Sequence, residues 1–75
     1  EEAHACFVEA AESARIVGDS KAESDMLAAA GMCSLAMGSE FSGRQELEQA
    51  LEVARRCGNE SCQQKVLAVL TPAAS

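Results

Sequence analysis

The stretch GDSKAESDMLAAAGMCSLAMGSEFSGRQELEQALEVARRCGN, Gly18 to Asn59, opens on Gly-Asp and closes on Gly-Asn, two junctions of one type 40 residues apart. Laid on itself at that offset, the chain matches Ala10, Ala14, Arg15 and Gly18 with Ala50, Ala54, Arg55 and Gly58. Glu12 falls on Glu52, Phe7 on Leu47, Leu27 on Leu67, Ala28 on Ala68 and Asp19 on Asn59. In an alanine-rich chain the weight rests on the paired glycines and the large apolar residues in common order. A period of this length is the mark of stacked helical hairpins. The chain therefore reads as a single domain holding one full unit, 19–58, between half-units at 1–18 and 59–72.

Each half of the unit has helical spacing. Ala3, Phe7, Ala10, Ala14 and Val17 recur at steps of four and three, one apolar face of a helix over 1–17, and Gly18 offers the left-handed position that ends it. Asp19 or Ser20 caps the next helix, with Ser20 and Glu23 at capping-box spacing. That helix, 20–37, carries Met26, Leu27, Ala30, Gly31, Ser34 and Met37 on one stripe. Gly31 costs roughly 0.5–1 kcal/mol against alanine inside a helix, so close approach of a neighbour is expected there, with Ala10 and Ala50 as its small partners. Gly38 ends the helix. Ser42 and Gln45, again at capping-box spacing, open a third over 42–57, with Gly43, Leu47, Ala50, Ala54 and Cys57 inward. Glu46 and Glu48 lie toward its positive end and Arg55 and Arg56 toward its negative one, the favourable order. A shorter helix over 60–70 carries Val66, Leu67, Val69 and Leu70. It stops at Thr71, which precedes Pro72, and a frayed tail, 73–75, follows.

Composition fixes the class and excludes several functions. The 75 residues are 48% hydrophobic, with two Phe, no Trp and no Tyr, so Leu, Val, Met and Ala make the core, which suits closely packed helices. A chain of this length buries proportionately little surface and gains little stability from it. Twelve acidic residues against six basic leave a net charge of −6, which opposes nucleic acid and anionic membrane surfaces. No apolar run approaches the roughly 20 residues that span a bilayer, and Glu1-Glu2 is no secretory leader. The absence of an initiator Met suggests an excised domain. Cys6, Cys33, Cys57 and Cys62 lie within or at the start of helical patterns and lack the short paired spacing of a zinc site, so they read as reduced, mostly buried thiols acting as small hydrophobes, in a reducing, cytoplasmic setting.

Leu27, Gly31, Gly43, Leu47 and Ala50 stand at the spacing of a tetratricopeptide (TPR) repeat, and Ala3, Phe7 and Ala10 stand where the preceding repeat has its second-helix trio. The chain resembles that family over residues 3–70. The 40-residue period is similar to the longer variety in G-protein-signalling-modulator adaptors and in the synaptic scaffold rapsyn. It departs from the pattern at Ser34, where an aromatic is common, at Gly43, where alanine is usual, and at Thr71, where a small residue belongs. The resemblance implies an all-α fold of about four helices, antiparallel hairpins stacked as a short TPR-like solenoid.

The resemblance also implies a non-catalytic adaptor or scaffold module that binds a peptide or partner helix in a concave groove. The groove residues it implies are Asp25, Ala28, Met32, Leu35, Ala36, Lys65 and Ala68. Against this, Met32 and Leu35 equally suit packing on a neighbouring helix, and Asp25 suits a solvated face. Enzymatic chemistry is not expected: His4 and Cys6 point apart on a helix, no phosphate loop or paired carboxylates are present, and no cofactor or metal is called for. Cys57 beside Arg55 and Arg56 is the one candidate for a reactive thiol. The terminal helices have apolar faces without covering repeats, so an alternative reading is a self-associating helical protein, a homodimer formed by two-fold pairing of like ends or by helix exchange.

Overall fold

The computed structural model describes residues 2–71. They form four helices, α1 (Glu2–Val17), α2 (Ser20–Ala36), α3 (Glu40–Cys57) and α4 (Glu60–Leu70), and no strand. The fold is all-α, as the composition and periodicity lead one to expect. Pro72 and the expected tail lie outside the described residues, as does Glu1.

The connections are short because each closes on a glycine. Gly18, Gly38 and Gly58 have φ of +82°, +88° and +73°. The amide after each glycine reaches back across a full turn, from Asp19 to the Ala14 carbonyl at 2.8 Å, from Ser39 to Ser34 at 2.9 Å and from Asn59 to Ala54 at 2.8 Å. The glycine amides themselves bond to Arg15, Leu35 and Arg55. These paired bonds satisfy carbonyls that a helix end otherwise leaves open, and they reverse the chain within three residues. At the other end, Thr71 is extended (φ −107°, ψ 96°), the geometry forced on a residue that precedes proline.

Helix starts follow the sequence reading in two cases and correct it in the third. Asp19 accepts the Ala22 amide at 3.1 Å and Asn59 the Cys62 amide at 3.3 Å. The third helix begins at Glu40, two residues before the expected Ser42, and its N-cap position is Ser39, whose side chain makes no capping bond. The turn closed at Gly38 leaves no room for a longer linker, so Ser42 and Gln45 fall inside the helix.

α1 packs on α2, α2 on α3 and α3 on α4, with a smaller contact between α2 and α4. The body measures 40 × 29 × 14 Å between Cα atoms. Its thinnest dimension is one helix diameter of about 4.6 Å plus one interaxial spacing of about 9 Å, so the helices form two layers. The core comprises Ala28, Leu47, Ala50, Leu51, Ala54, Cys62 and Val66, with Leu27, Leu35, Val69 and Leu70 packed against it.

A close helix approach is present at Gly31, but its partners are not Ala10 and Ala50. A Cβ on Gly31 would lie 2.7 Å from Leu47 Cγ and 3.1 Å from the Gly43 carbonyl oxygen. A Cβ on Gly43 would lie 2.7 Å from Leu35 Cδ2 and 3.1 Å from the Gly31 carbonyl oxygen. Two glycines face each other across α2 and α3, and each accommodates a leucine of the opposite helix. Ala50 is fully buried and Ala10 half-buried, both at other places in the packing.

The inward face of α1 is also turned from the expected one. Ala11 and Ala14 are buried and Phe7 and Ala10 half-buried, whereas Ala3 is exposed and Val17 is 77% exposed. On α3, Cys57 is exposed, while Leu51 and Val53 join the buried set. Met37, expected on the inward stripe of α2, is exposed.

Glu46 makes two of the polar ties that cross between helices. Glu46 receives the Ser34 hydroxyl on Oε1 at 2.7 Å and approaches His4 Nε2 with Oε2 at 2.7 Å, so one carboxylate of α3 joins α2 and α1. Arg15 and Glu12 pair on the surface of α1, and the guanidinium hydrogen bond holds the Glu12 carboxyl below its ordinary value. Both side chains are exposed, and such a pair adds little stability.

Candidate partner-binding groove

The groove begins at the α3–α4 junction, because that corner sets where α4 lies against α2. Asn59 is buried, and its side chain works in both directions. Its Oδ1 caps α4 through the Cys62 amide, while its Nδ2 donates to Ser24 Oγ at 2.9 Å and Asp25 Oδ1 at 3.0 Å. The Cys62 thiol donates to the Ser24 carbonyl at 3.5 Å, and the Ser24 hydroxyl to the Lys21 carbonyl at 2.8 Å. Among the described residues no buried side-chain nitrogen or oxygen lacks a partner. A buried polar cluster satisfied in this way fixes one arrangement of its helices, since any displacement leaves groups desolvated and unpaired.

Beside this corner a depression of 380 Å³ opens between α2 and α4. Asp25, Met26, Ala28, Ala29 and Met32 line it from α2, and Cys62 and Lys65 from α4. Ala28 and Cys62 form buried parts of its wall, and Met32 is 37% exposed. Asp25 and Lys65 put one charge of each sign on the rim, so the depression is an electrically balanced, largely apolar patch on an acidic protein.

Of the residues implied by the resemblance, Asp25, Ala28, Met32 and Lys65 line this depression together. Leu35 is half-buried and packs on the core, its terminal carbons against Gly43. The packing alternative is the observed arrangement for that residue. Ala36 and Ala68 are exposed and stand outside the depression. Met26, Ala29 and Cys62 line it without having been expected to. The first two were accessible to periodicity, since Ala29 is four residues from Asp25 and three from Met32. Cys62 comes in through the junction, which no spacing within α2 reveals.

A second hollow, of 280 Å³, lies along α3 between Gln45, Glu48, Gln49 and Glu52. All four are exposed polar side chains, and it is a solvated ridge of that helix. The cysteines are all free thiols, but they are not mostly buried as expected: Cys62 alone is buried, Cys33 is half-buried, and Cys6 and Cys57 lie on outward faces of their helices. Burial pushes the Cys62 thiol up, and Asp25 adds to this, while the Ser24 hydroxyl and the charge of Lys65 act in the other direction. A thiol held protonated is a poor nucleophile. Cys57 is exposed, and its thiol points back to the Ala54 carbonyl at 3.8 Å. Among the described residues no group of three or more His, Cys, Asp or Glu side chains is placed to hold a metal ion, and no helix is long and apolar enough to cross a membrane.

Comparison of the chain with protein-family models, with curated proteins and with solved structures found no significant match in any of the three.

Proposed function

We propose that the protein is a non-catalytic interaction module, a TPR-like adaptor in which stacked hairpins present a groove between α2 and α4 to a peptide or partner helix. The observation that carries this reading is the depression itself. Its lining on α2 is apolar apart from Asp25, Asp25 and Lys65 supply opposite charges, and it lies between two helices that stand 40 residues apart in the repeat. Apolar anchors with a few placed polar groups are what a binding groove needs, and Met32 is adaptable enough to fit more than one anchor. Four free thiols fit a reducing compartment, and the cytoplasm is the simplest one.

The reading is tested by selecting peptides from a displayed library against the chain and mapping the selected peptide by amide chemical shifts. Perturbations concentrated on Asp25–Met32 and Cys62–Lys65 are expected. Met32→Glu should weaken binding about tenfold or more, because burying one such side chain contributes about 1.5–3 kcal/mol. Shifts centred on Gln45–Glu52, or full binding by Met32→Glu, would remove the groove from the account.

A further inference from the structure

The depression between α2 and α4 offers an occupant shape and charge but few hydrogen bonds. Met26, Ala28, Ala29 and Met32 bring no side-chain donor to it, and only the weak thioether acceptors. Cys62 gives its thiol to the Ser24 carbonyl, and the neighbouring Asn59 spends both ends of its amide, on the Cys62 amide and on Ser24 and Asp25. Two charges remain, at equivalent positions of the repeat on opposite walls, and they differ in state. Asp25 already accepts from Asn59 Nδ2 at 3.0 Å, whereas the exposed Lys65 ammonium makes no ion pair with any described residue.

We infer, resting on the groove proposed above, that its occupant is an amphipathic helix and not an extended peptide, and that this helix sets a carboxylate against Lys65. An extended segment brings one backbone donor and one acceptor per residue, and those turned to the lining would lose water with nothing there to bond. A helix arrives with its backbone bonds made internally, so it asks of the groove mainly apolar contact. The length agrees. Asp25 to Met32 covers about 10 Å along α2, the reach of apolar side chains at i, i+3 or i+4 and i+7 of an occupant. Ala28 and Ala29, between the two methionines, let it approach closely. Charge fixes the flank. A net charge of −6 favours a partner that is neutral or basic overall. The uncommitted charge at the groove is nonetheless the Lys65 cation, so one acidic residue of that partner belongs on its α4 side. Lys65 is then a specificity-determining residue, selecting the chemistry of one flank while adding little affinity from an exposed position.

Two displayed libraries test this against the full chain, one randomised on the outer face of a stable helical-hairpin scaffold, the other linear and interrupted by proline so that it cannot become helical. Binders that map to Asp25–Met32 and Cys62–Lys65 by amide chemical shifts are expected from the helical library alone, with apolar residues at steps of three and four and Asp or Glu on one flank. The tightest of them, kept on its scaffold, should bind Lys65→Glu about five- to tenfold more weakly than the unaltered chain, and its counterpart with Lys in place of that acid should prefer Lys65→Glu. Lys65→Gln, which removes the charge without reversing it, should weaken binding about two- to threefold and stands in if Lys65→Glu loses helical circular dichroism. Groove-mapped binders from the proline library overturn the helix and leave the groove standing. A helical binder indifferent to the charge at residue 65 overturns the carboxylate. If no binder from either library maps to the groove, both the helix and the groove fall.

Discussion

Positions 40 residues apart share residue types and helical phase, and the structure gives them different surroundings. Asp19 and Asn59 cap their helices with the same bond, yet Asp19 is exposed while Asn59 is buried and ties α4 to Ser24 and Asp25. Leu47 is fully buried between α2 and the core, and Phe7, at the equivalent place on α1, is half-open. The difference teaches that the repeat specifies local structure, helix, stop and cap, whereas the cost of changing a residue is set by which neighbour has been stacked on it.

The sharpest way to break this comparison is to truncate the two apolar equivalents. Leu47→Ala should cost about 2–5 kcal/mol, the usual range for a buried leucine, and bring so small a domain close to unfolding. Phe7→Ala should cost less, about 1–2 kcal/mol despite its larger side chain, because its ring stays partly exposed to water. Denaturant titrations giving equal losses would mean that the two faces are equally covered. Next in size is Gly31→Leu, expected to destabilise by about 1–3 kcal/mol through overpacking against Leu47 and the Gly43 carbonyl. A raised melting temperature would refute the close approach.

The cap pair sharpens the comparison through charge. Asp19→Asn should be nearly neutral, since the two residues cap about equally well. Asn59→Asp removes a buried donor and sets a carboxylate beside Asp25, with an expected loss of about 1–3 kcal/mol at neutral pH. That carboxylate has its pKa raised in the folded state. The deficit relative to the unaltered chain is therefore full above the folded pKa and shrinks as pH falls toward the unfolded value near 4. A pH-independent deficit would show that the charge is not felt. The smallest effect is chemical. Cys6 and Cys57 should react first with a thiol reagent, Cys33 more slowly and Cys62 last, with neither chelator nor reductant altering the helical signal. Because the Cys62 value is raised, its contribution to stability is complete below the unfolded thiol pKa of about 8.5 and declines as pH rises through the folded one.

Much of the fold was legible because it is written within single segments. Gly18, Gly38 and Gly58 mark helix ends by backbone geometry, and Asp19 and Asn59 mark starts by side-chain reach, so the lengths of α1, α2 and α4 follow from local chemistry. Gly31 announced a close approach by its cost alone. Its partners were not legible, because Gly43 and Leu47 are chosen by how two helices are placed, a quantity that no spacing along either one contains. The same holds for the half of the groove supplied by Cys62 and for Leu35, whose inward turn depends on Gly43 having no side chain. Glu46 read as a charge near a helix start, and its roles toward His4 and Ser34 became visible only with three helices in place.

That last tie bears on something other than stability. The buried part of α1 is largely alanine, a smooth surface on which a helix can slip by a turn or roll with little change in contact area. A hydrogen-bonded carboxylate has direction, and Glu46 reaches His4 and Ser34 together only at one axial setting. It acts as a register pin, selecting one docked position of α1 from several of similar packing energy. Replacing Glu46 with alanine should leave helical content intact while the amide resonances of α1 broaden, as that helix samples neighbouring registers that the carboxylate had excluded.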